Sequence, residues 1–157
     1  MSTLYMLIGV PASGKSTWVE EFTKRNNCIV LSTDNYIQSL AEHKNLTYDE
    51  VFEHAIKEAT AELKRELAWA LKYGMNIIWD QTNLTPKSRR SKLGMIPGHY
   101  HSDYHKIAVV FPTPAFAEHA RRLERPGKTI PAPVLKSMIE QFTPPTLDEG
   151  FDEIWNM

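Results

Sequence analysis

A single cysteine, Cys28, leaves no partner for an intramolecular disulfide and too few thiolates for a cysteine-based zinc site. No apolar run reaches the roughly 18 residues that a membrane-spanning helix needs. The first ten residues carry no basic group ahead of their apolar run, so neither a leader nor a membrane partner is expected. Such sparse cysteine usage suits a reducing, cytoplasmic setting. Net charge is scarce too: 18 Lys+Arg against 19 Asp+Glu leave −1, which excludes nucleic-acid binding by bulk positive charge. That value is an average over a segregated chain. Residues 1–80 hold 8 basic and 11 acidic groups, residues 81–129 hold 9 and 3, and residues 130–157 hold 1 and 5. No repeat, low-complexity tract or linker interrupts the 157 residues, a length that suits one domain over 1–157.

What is present alternates between strand and helix signals. Leu4–Val10 is an apolar run of strand length, and Lys15–Arg25 contains no Pro or Gly and reads as a helix. Cys28–Ser32 is a second strand, followed by a helical stretch from Asp34 to about Ala41. Thr47 and Glu50 form a capping box ahead of the longest helix, Tyr48–Tyr73, whose apolar residues recur at three- and four-residue spacing and which Gly74 ends. Met75–Trp79 is a third strand, Lys87–Leu93 a short basic helix after Pro86, and Ile107–Phe111 a fourth strand. Helices over Pro114–Glu124 and Pro131–Phe142 and a strand over Phe151–Trp155 follow. The alternation predicts an α/β fold, a mainly parallel sheet with helices on both faces.

The strongest local signal is Gly9-Val10-Pro11-Ala12-Ser13-Gly14-Lys15-Ser16-Thr17, a full match to G-x-x-x-x-G-K-[ST]. A chance match in this length arises about once in 200 chains at ordinary residue usage. The motif also follows a buried strand and opens a helix, as its mechanism requires. The glycines let the backbone wrap an anion, and its N–H groups and the helix N-terminus supply positive potential. Lys15 is placed to reach the β- and γ-phosphates, and the Ser16 hydroxyl to ligate Mg²⁺.

Two carboxylates fall where strands end, the usual ligand edge of an open α/β sheet. Asp34 can take the proton of an attacking hydroxyl, or it can simply cap a helix. Asp80 can hold Mg²⁺ through water or orient an acceptor, or it can close a turn. Arg121, Arg122, Arg125 and Lys128 surround the Pro126-Gly127 break and can close over a triphosphate as a lid; the alternative is a solvated helix end favoured by the dipole. Lys87, Arg89, Arg90 and Lys92 can track a nucleic-acid backbone or form a solvated face. The six histidines show no helical metal-ligand spacing, and no role is assigned to His119. Trp18, Trp69, Trp79 and Trp155 read as core, with Trp18 behind the phosphate loop.

In this combination the chain resembles the kinase domain of phage and bacterial polynucleotide kinases, which transfer the ATP γ-phosphate to a nucleic-acid 5′-hydroxyl. GVPASGKSTW, residues 9–18, is similar to that family's P-loop. Ser32-Thr33-Asp34-Asn35-Tyr36 matches the segment of its catalytic aspartate. Ile77–Asn83 resembles its D-x-T-N element, Pro86–Arg90 the basic helix after it, and Arg121, Arg125 and Gly127–Pro131 its lid. The resemblance spans roughly residues 3–142.

It implies a P-loop kinase fold with five strands in the order 2-3-1-4-5. It also implies ATP and Mg²⁺ as cofactors and nucleic acid, DNA or RNA, as acceptor. Lys15, Asp34, Arg121 and Arg125 are then catalytic. Nucleotide is held by Gly9, Pro11, Ala12, Ser13, Gly14, Lys15, Ser16, Thr17, Arg121, Arg125 and Lys128. The acceptor meets Asp34, Asp80, Thr82, Asn83, Arg89 and Arg90, and Ser16 holds the metal. One departure stands out: the family's acceptor-phosphate arginine, three residues after the aspartate, is Ile37 here. Arg89 or Arg90 then substitutes, or the acceptor differs, for instance a hydroxymethylated pyrimidine within DNA or a small metabolite. A third alternative is a nucleotide-dependent binding module without transfer.

Overall fold

The computed structural model describes residues 1–124 and 127–157. The strands are β1 Ser2–Ile8, β2 Cys28–Leu31, β3 Asn76–Trp79, β4 Tyr104–Val110 and β5 Glu153–Asn156. The helices are α1 Lys15–Thr23, α2 Thr33–Lys44, α3 Tyr48–Lys72, α4 Pro86–Leu93, α5 Phe116–Arg122 and α6 Ala132–Gln141. All pairings in the sheet are parallel and the order is β2-β3-β1-β4-β5. The expected architecture and strand order are both present.

Alternation along the strands builds two cores. Leu4, Met6, Ile8, Ile77, Trp79, Ala108 and Val110 face one way and meet Leu63, Leu67, Ala70 and Leu71 of α3. Leu7, Ile78, Ile107, Val109 and Phe111 face the other way and meet Trp18, Val19 and Phe22 of α1. Burying each large aliphatic side chain contributes about 1.5–3 kcal/mol, so the central strands anchor the fold. A smaller cluster of Ile37, Ala41, Tyr48, Val51, Ala55 and Ala59 seals α2 to the start of α3. There the Thr47–Glu50 capping box is formed as expected.

Some boundaries differ. β4 begins at Tyr104, three residues early, because it pairs with β1 along its whole length, from Ser2↔Tyr104 to Ile8↔Val110. His105 and Lys106 hid that start, since polar residues break an apolar run. Lys106 is nonetheless buried, and its ammonium donates to the His101 carbonyl at 3.0 Å. A 3-10 turn over Gly98–Asp103 leads into the strand. Trp79 is fully buried, but Trp69 is 51% exposed on the outer side of α3 and does not belong to the core. Among the described residues no helix is long and apolar enough to cross a membrane.

Candidate functional site

The strand order decides what the site contains. With β2, β3 and β1 adjacent, the segments leaving their carboxyl ends lie side by side. Two backbone bonds tie them: Gly9 N–H donates to the Thr82 carbonyl at 3.0 Å, and Asp80 N–H to the Leu31 carbonyl at 2.9 Å. Together they line a cavity of about 1180 Å³ whose wall includes residues 11–18, Ser32, Asp34, Asn35, Gln38, Asp80, Gln81, Thr82, Arg122 and Lys128.

The phosphate loop is tightly built. A Cβ on Gly9 would fall 2.7 Å from Ser13 Oγ and 3.0 Å from Phe111 Cβ, so only glycine fits. Gly14 lies at φ +106 and Ala12 at φ +59, left-handed conformations that turn the chain around the cavity. The Pro11 and Ala12 carbonyls are taken by residues of α5. His119 Nε2 lies 2.6 Å from Pro11 O, and Arg122 Nη1 donates to Ala12 O at 3.2 Å. Lys15 Nζ donates to Gly9 O at 2.6 Å and Val10 O at 2.8 Å. Burial pushes the Lys15 ammonium down to about 8, against the pull of Asp80 and Asp34 and with a further push from Lys128. Trp18 packs beside the loop, stacked on Phe22 and edge-on to Phe111.

Asp34 is not the helix cap. Ser32 caps α2, its hydroxyl accepting from Asn35 N–H at 3.2 Å, which leaves the Asp34 carboxylate for the cavity. Its Oδ1 accepts from the Tyr48 hydroxyl at 2.5 Å, and its Oδ2 from Lys128 Nζ at 3.3 Å. Burial and the bond to Asp34 push the Tyr48 hydroxyl well above its ordinary range. Burial raises the Asp80 carboxyl; Lys15 opposes this, Asp34 adds to it, and Lys128 opposes it again.

Several expected residues are elsewhere. Arg121 does not reach the cavity: it is 74% exposed and bound to Glu118 at 2.6 Å. Buried His119 fixes which side of α5 faces the loop. Arg122, three residues on, shares that side, and Arg121, two residues on, does not. Arg125 lies outside the described residues. Arg89 is fully buried, with its guanidinium bound to Glu149 and to the Asn83 carbonyl, so it does not meet an acceptor. Arg90 is exposed on α4 and absent from the cavity wall.

Asn83 is also buried. At φ +49 its amide donates to the Leu7 carbonyl at 2.7 Å, and its side-chain oxygen accepts from Lys92. It is the joint between β1, β3 and α4, not an acceptor contact. Thr82 lines the cavity as expected. Ile37 is fully buried against α3. Sequence alone does not reveal His119 against the loop or Tyr48 on Asp34; the His119–Arg122 spacing is the available signal.

Lys92 carries a pH prediction. Burial pushes its ammonium down to about 8 from 10.5. Between those values the unfolded chain holds the proton and the folded chain has released it, so stability rises with pH across that window. In urea unfolding from pH 8 to 10, wild type is expected to gain stability relative to Lys92→Met. A constant difference would show that folding does not perturb Lys92.

The fold and the loop have counterparts. Residues 4–145 match the family described as AAA domain. The chain is 29% identical over 154 residues to the L-seryl-tRNA(Sec) kinase of Methanococcus maripaludis, covering 95% of this chain and 56% of that protein. It thus spans a little over half of that relative's length. A chain of the Pnkp1/Rnl/Hen1 RNA repair complex superposes with a TM-score of 0.67 at 24% identity, over 89% of this chain and 43% of that one. A sugar kinase from Janibacter sp. HTCC2649 superposes with a TM-score of 0.61 at 17% identity, over 99% and 86%. At such identities the structural likeness establishes the fold. Because the family match runs unbroken from β1 through the phosphate loop and the Asp34 segment to beyond α6, the chain belongs to the AAA domain family.

Proposed function

We propose that this chain is an ATP-dependent kinase that transfers the γ-phosphate to a hydroxyl of a nucleic acid, with Asp34 as general base. The 5′-hydroxyl end of DNA or RNA is the foremost candidate. The observation that carries the reading is the shared cavity, which sets a complete phosphate loop beside a first-turn carboxylate that does not cap its helix. A merely nucleotide-binding module needs no such carboxylate. The basic excess over residues 81–129 and the likeness to a chain of an RNA repair complex support a nucleic-acid acceptor.

The loop fits a triphosphate: a Cβ at Gly9 would collide, Ala12 and Gly14 turn left-handed, and the Pro11 and Ala12 carbonyls are bonded to α5. Ser16 at the start of α1 would hold Mg²⁺, which offsets phosphate charge when bound. Asp34 accepts the proton as the acceptor oxygen bonds to the γ-phosphorus. The bond from that phosphorus to the β–γ bridging oxygen breaks, and ADP leaves. Lys15, Lys128 and Arg122 supply positive charge around the transferring group.

A second reading has its own observation. With Ile37 buried, and Arg89 buried and paired, the described cations lining the cavity are Lys15, Arg122 and Lys128, and Arg122 is bonded to Glu118 and to the Ala12 carbonyl. This favours an acceptor with no phosphate beside its hydroxyl, such as a hydroxymethylated pyrimidine within DNA or a small metabolite. Labelled ATP incubated with 5′-hydroxyl DNA and RNA, hydroxymethylated duplex, nucleosides and sugars separates the readings. Label on a 5′ end supports the first, and label on an internal base or small molecule supports the second. Label nowhere refutes the kinase reading.

A further inference from the structure

We propose that Lys128 is shared in turn between two anions, the Asp34 carboxylate and the ATP triphosphate, with Tyr48 and Asp49 as the positioning residues that permit the exchange. This rests on reading the cavity as a kinase site.

The backbone on both sides of Lys128 is pinned to the start of α3. Asp49 N–H donates to the Gly127 carbonyl at 3.0 Å. Thr129 N–H and its hydroxyl both donate to Asp49 Oδ2, at 2.9 and 3.0 Å. Gly127 sits at φ +76, and a Cβ there would meet the Thr47 side chain at 2.8 Å, so the loop lies flat against the helix. What remains free to move is the four-carbon stem of Lys128, whose Nζ lies 4.4 Å from the centre of the Tyr48 ring.

The ion pair that Lys128 makes is loose. Its 3.3 Å exceeds the about 2.7–2.9 Å of a strong ammonium–carboxylate bond, and the Asp34 side chain is 61% exposed. The Lys128 side chain is half-buried, and a pair open to solvent at its carboxylate is weak. Lys128 and the phosphate loop line the same cavity, so a triphosphate there offers more negative charge than one carboxylate. Asp34 keeps its place when Lys128 leaves, because buried Tyr48 holds Oδ1 at 2.5 Å from the first turn of a capped helix. The exchange then frees Oδ2, the oxygen that takes the acceptor proton. Exposure of the base follows loading of the triphosphate, and a diphosphate, lacking the γ group, releases it less.

A double-mutant cycle read by calorimetry tests this with Mg²⁺ and either the β,γ-imido analogue of ATP or ADP. Asp34→Asn is expected to bind the analogue about threefold to tenfold more tightly than wild type, by removing the competitor for Lys128, and ADP within about twofold. Lys128→Met is expected to weaken the analogue about tenfold. Adding Asp34→Asn to Lys128→Met is expected to change nothing beyond about twofold. Equal tightening with and without Lys128 would mean simple charge removal and would overturn the exchange, as would no tightening at all.

Tyr48→Phe keeps the ring beneath Lys128 and removes the hydroxyl. It is expected to leave analogue affinity, KM for ATP and the melting midpoint unchanged and to lower kcat about tenfold. Turnover is read on the acceptor found above or, failing one, on water. An unchanged kcat removes Tyr48 from the scheme. If no acceptor takes phosphate, the kinase reading fails while the binding cycle still decides the exchange.

Discussion

Asp34→Asn is expected to lower phosphoryl transfer by about 10²- to 10⁴-fold while nucleotide still binds. The amide keeps the size of the carboxylate, and its oxygen can still accept from the Tyr48 hydroxyl, so the start of α3 and the Ile37–Tyr48–Val51 cluster stay packed. What disappears is the basic oxygen that takes the acceptor proton. Ser32, the true cap of α2, is untouched, so the helix loses no cap and the melting midpoint stays close to wild type. Steady-state turnover beside calorimetric nucleotide binding separates the two effects. Turnover within about threefold of wild type would remove Asp34 as the base. The base would then have to be sought in Asp80, whose carboxyl burial raises.

The second large effect is on folding. Arg89→Met is expected to destabilise the protein by about 3–5 kcal/mol, the range for breaking a buried ion pair from one side. The Arg89 side chain is 0% exposed and that of Glu149 is 14%. The guanidinium donates to both Glu149 oxygens, at 2.7 and 3.2 Å, and to the Asn83 carbonyl at 2.9 Å. Glu149 also accepts from Thr146 N–H at 2.8 Å. Although burial works against its ionisation, these bonds hold the Glu149 carboxyl below its ordinary range. Methionine fills the volume but strands a charge and a carbonyl. Chemical unfolding should show the loss, with Arg90→Met on the exposed side of α4 as a near-neutral control. Equal stability of the two variants would mean that Glu149 finds water once Arg89 is gone.

These two residues mark how far local signals reach. Asp34 was recognisable because it follows a strand and opens a helix, and Gly9, Gly14, Lys15 and Ser16 because their spacing encodes a loop. Arg89 and Asn83 were misread because neighbours 60 and 76 residues away hold them. A buried arginine and a solvated one look alike in a basic segment. Within the expected lid the same limit applies: Arg122 and Lys128 line the cavity, Arg121 does not, and only the burial of His119 against Pro11 decides which of the adjacent Arg121 and Arg122 faces the loop.

The sequence by itself determined the alternation of strands and helices, the capping box at Thr47, and the phosphate loop. These depend on residue period, backbone freedom and bonds spanning a few positions. The strand order came only from resemblance to a family, since a parallel strand's periodicity does not name its neighbour. The tertiary structure places β3 between β2 and β1, as the resemblance implied, and this brings Asp34 and Asp80 to the loop. It alone decided that Ile37 belongs to the core, that Tyr48 and Lys128 meet at Asp34, and that Asp49 holds the backbone beside Lys128. Charge and hydrogen bonding act through distance in space, and that distance exists only after the chain has packed.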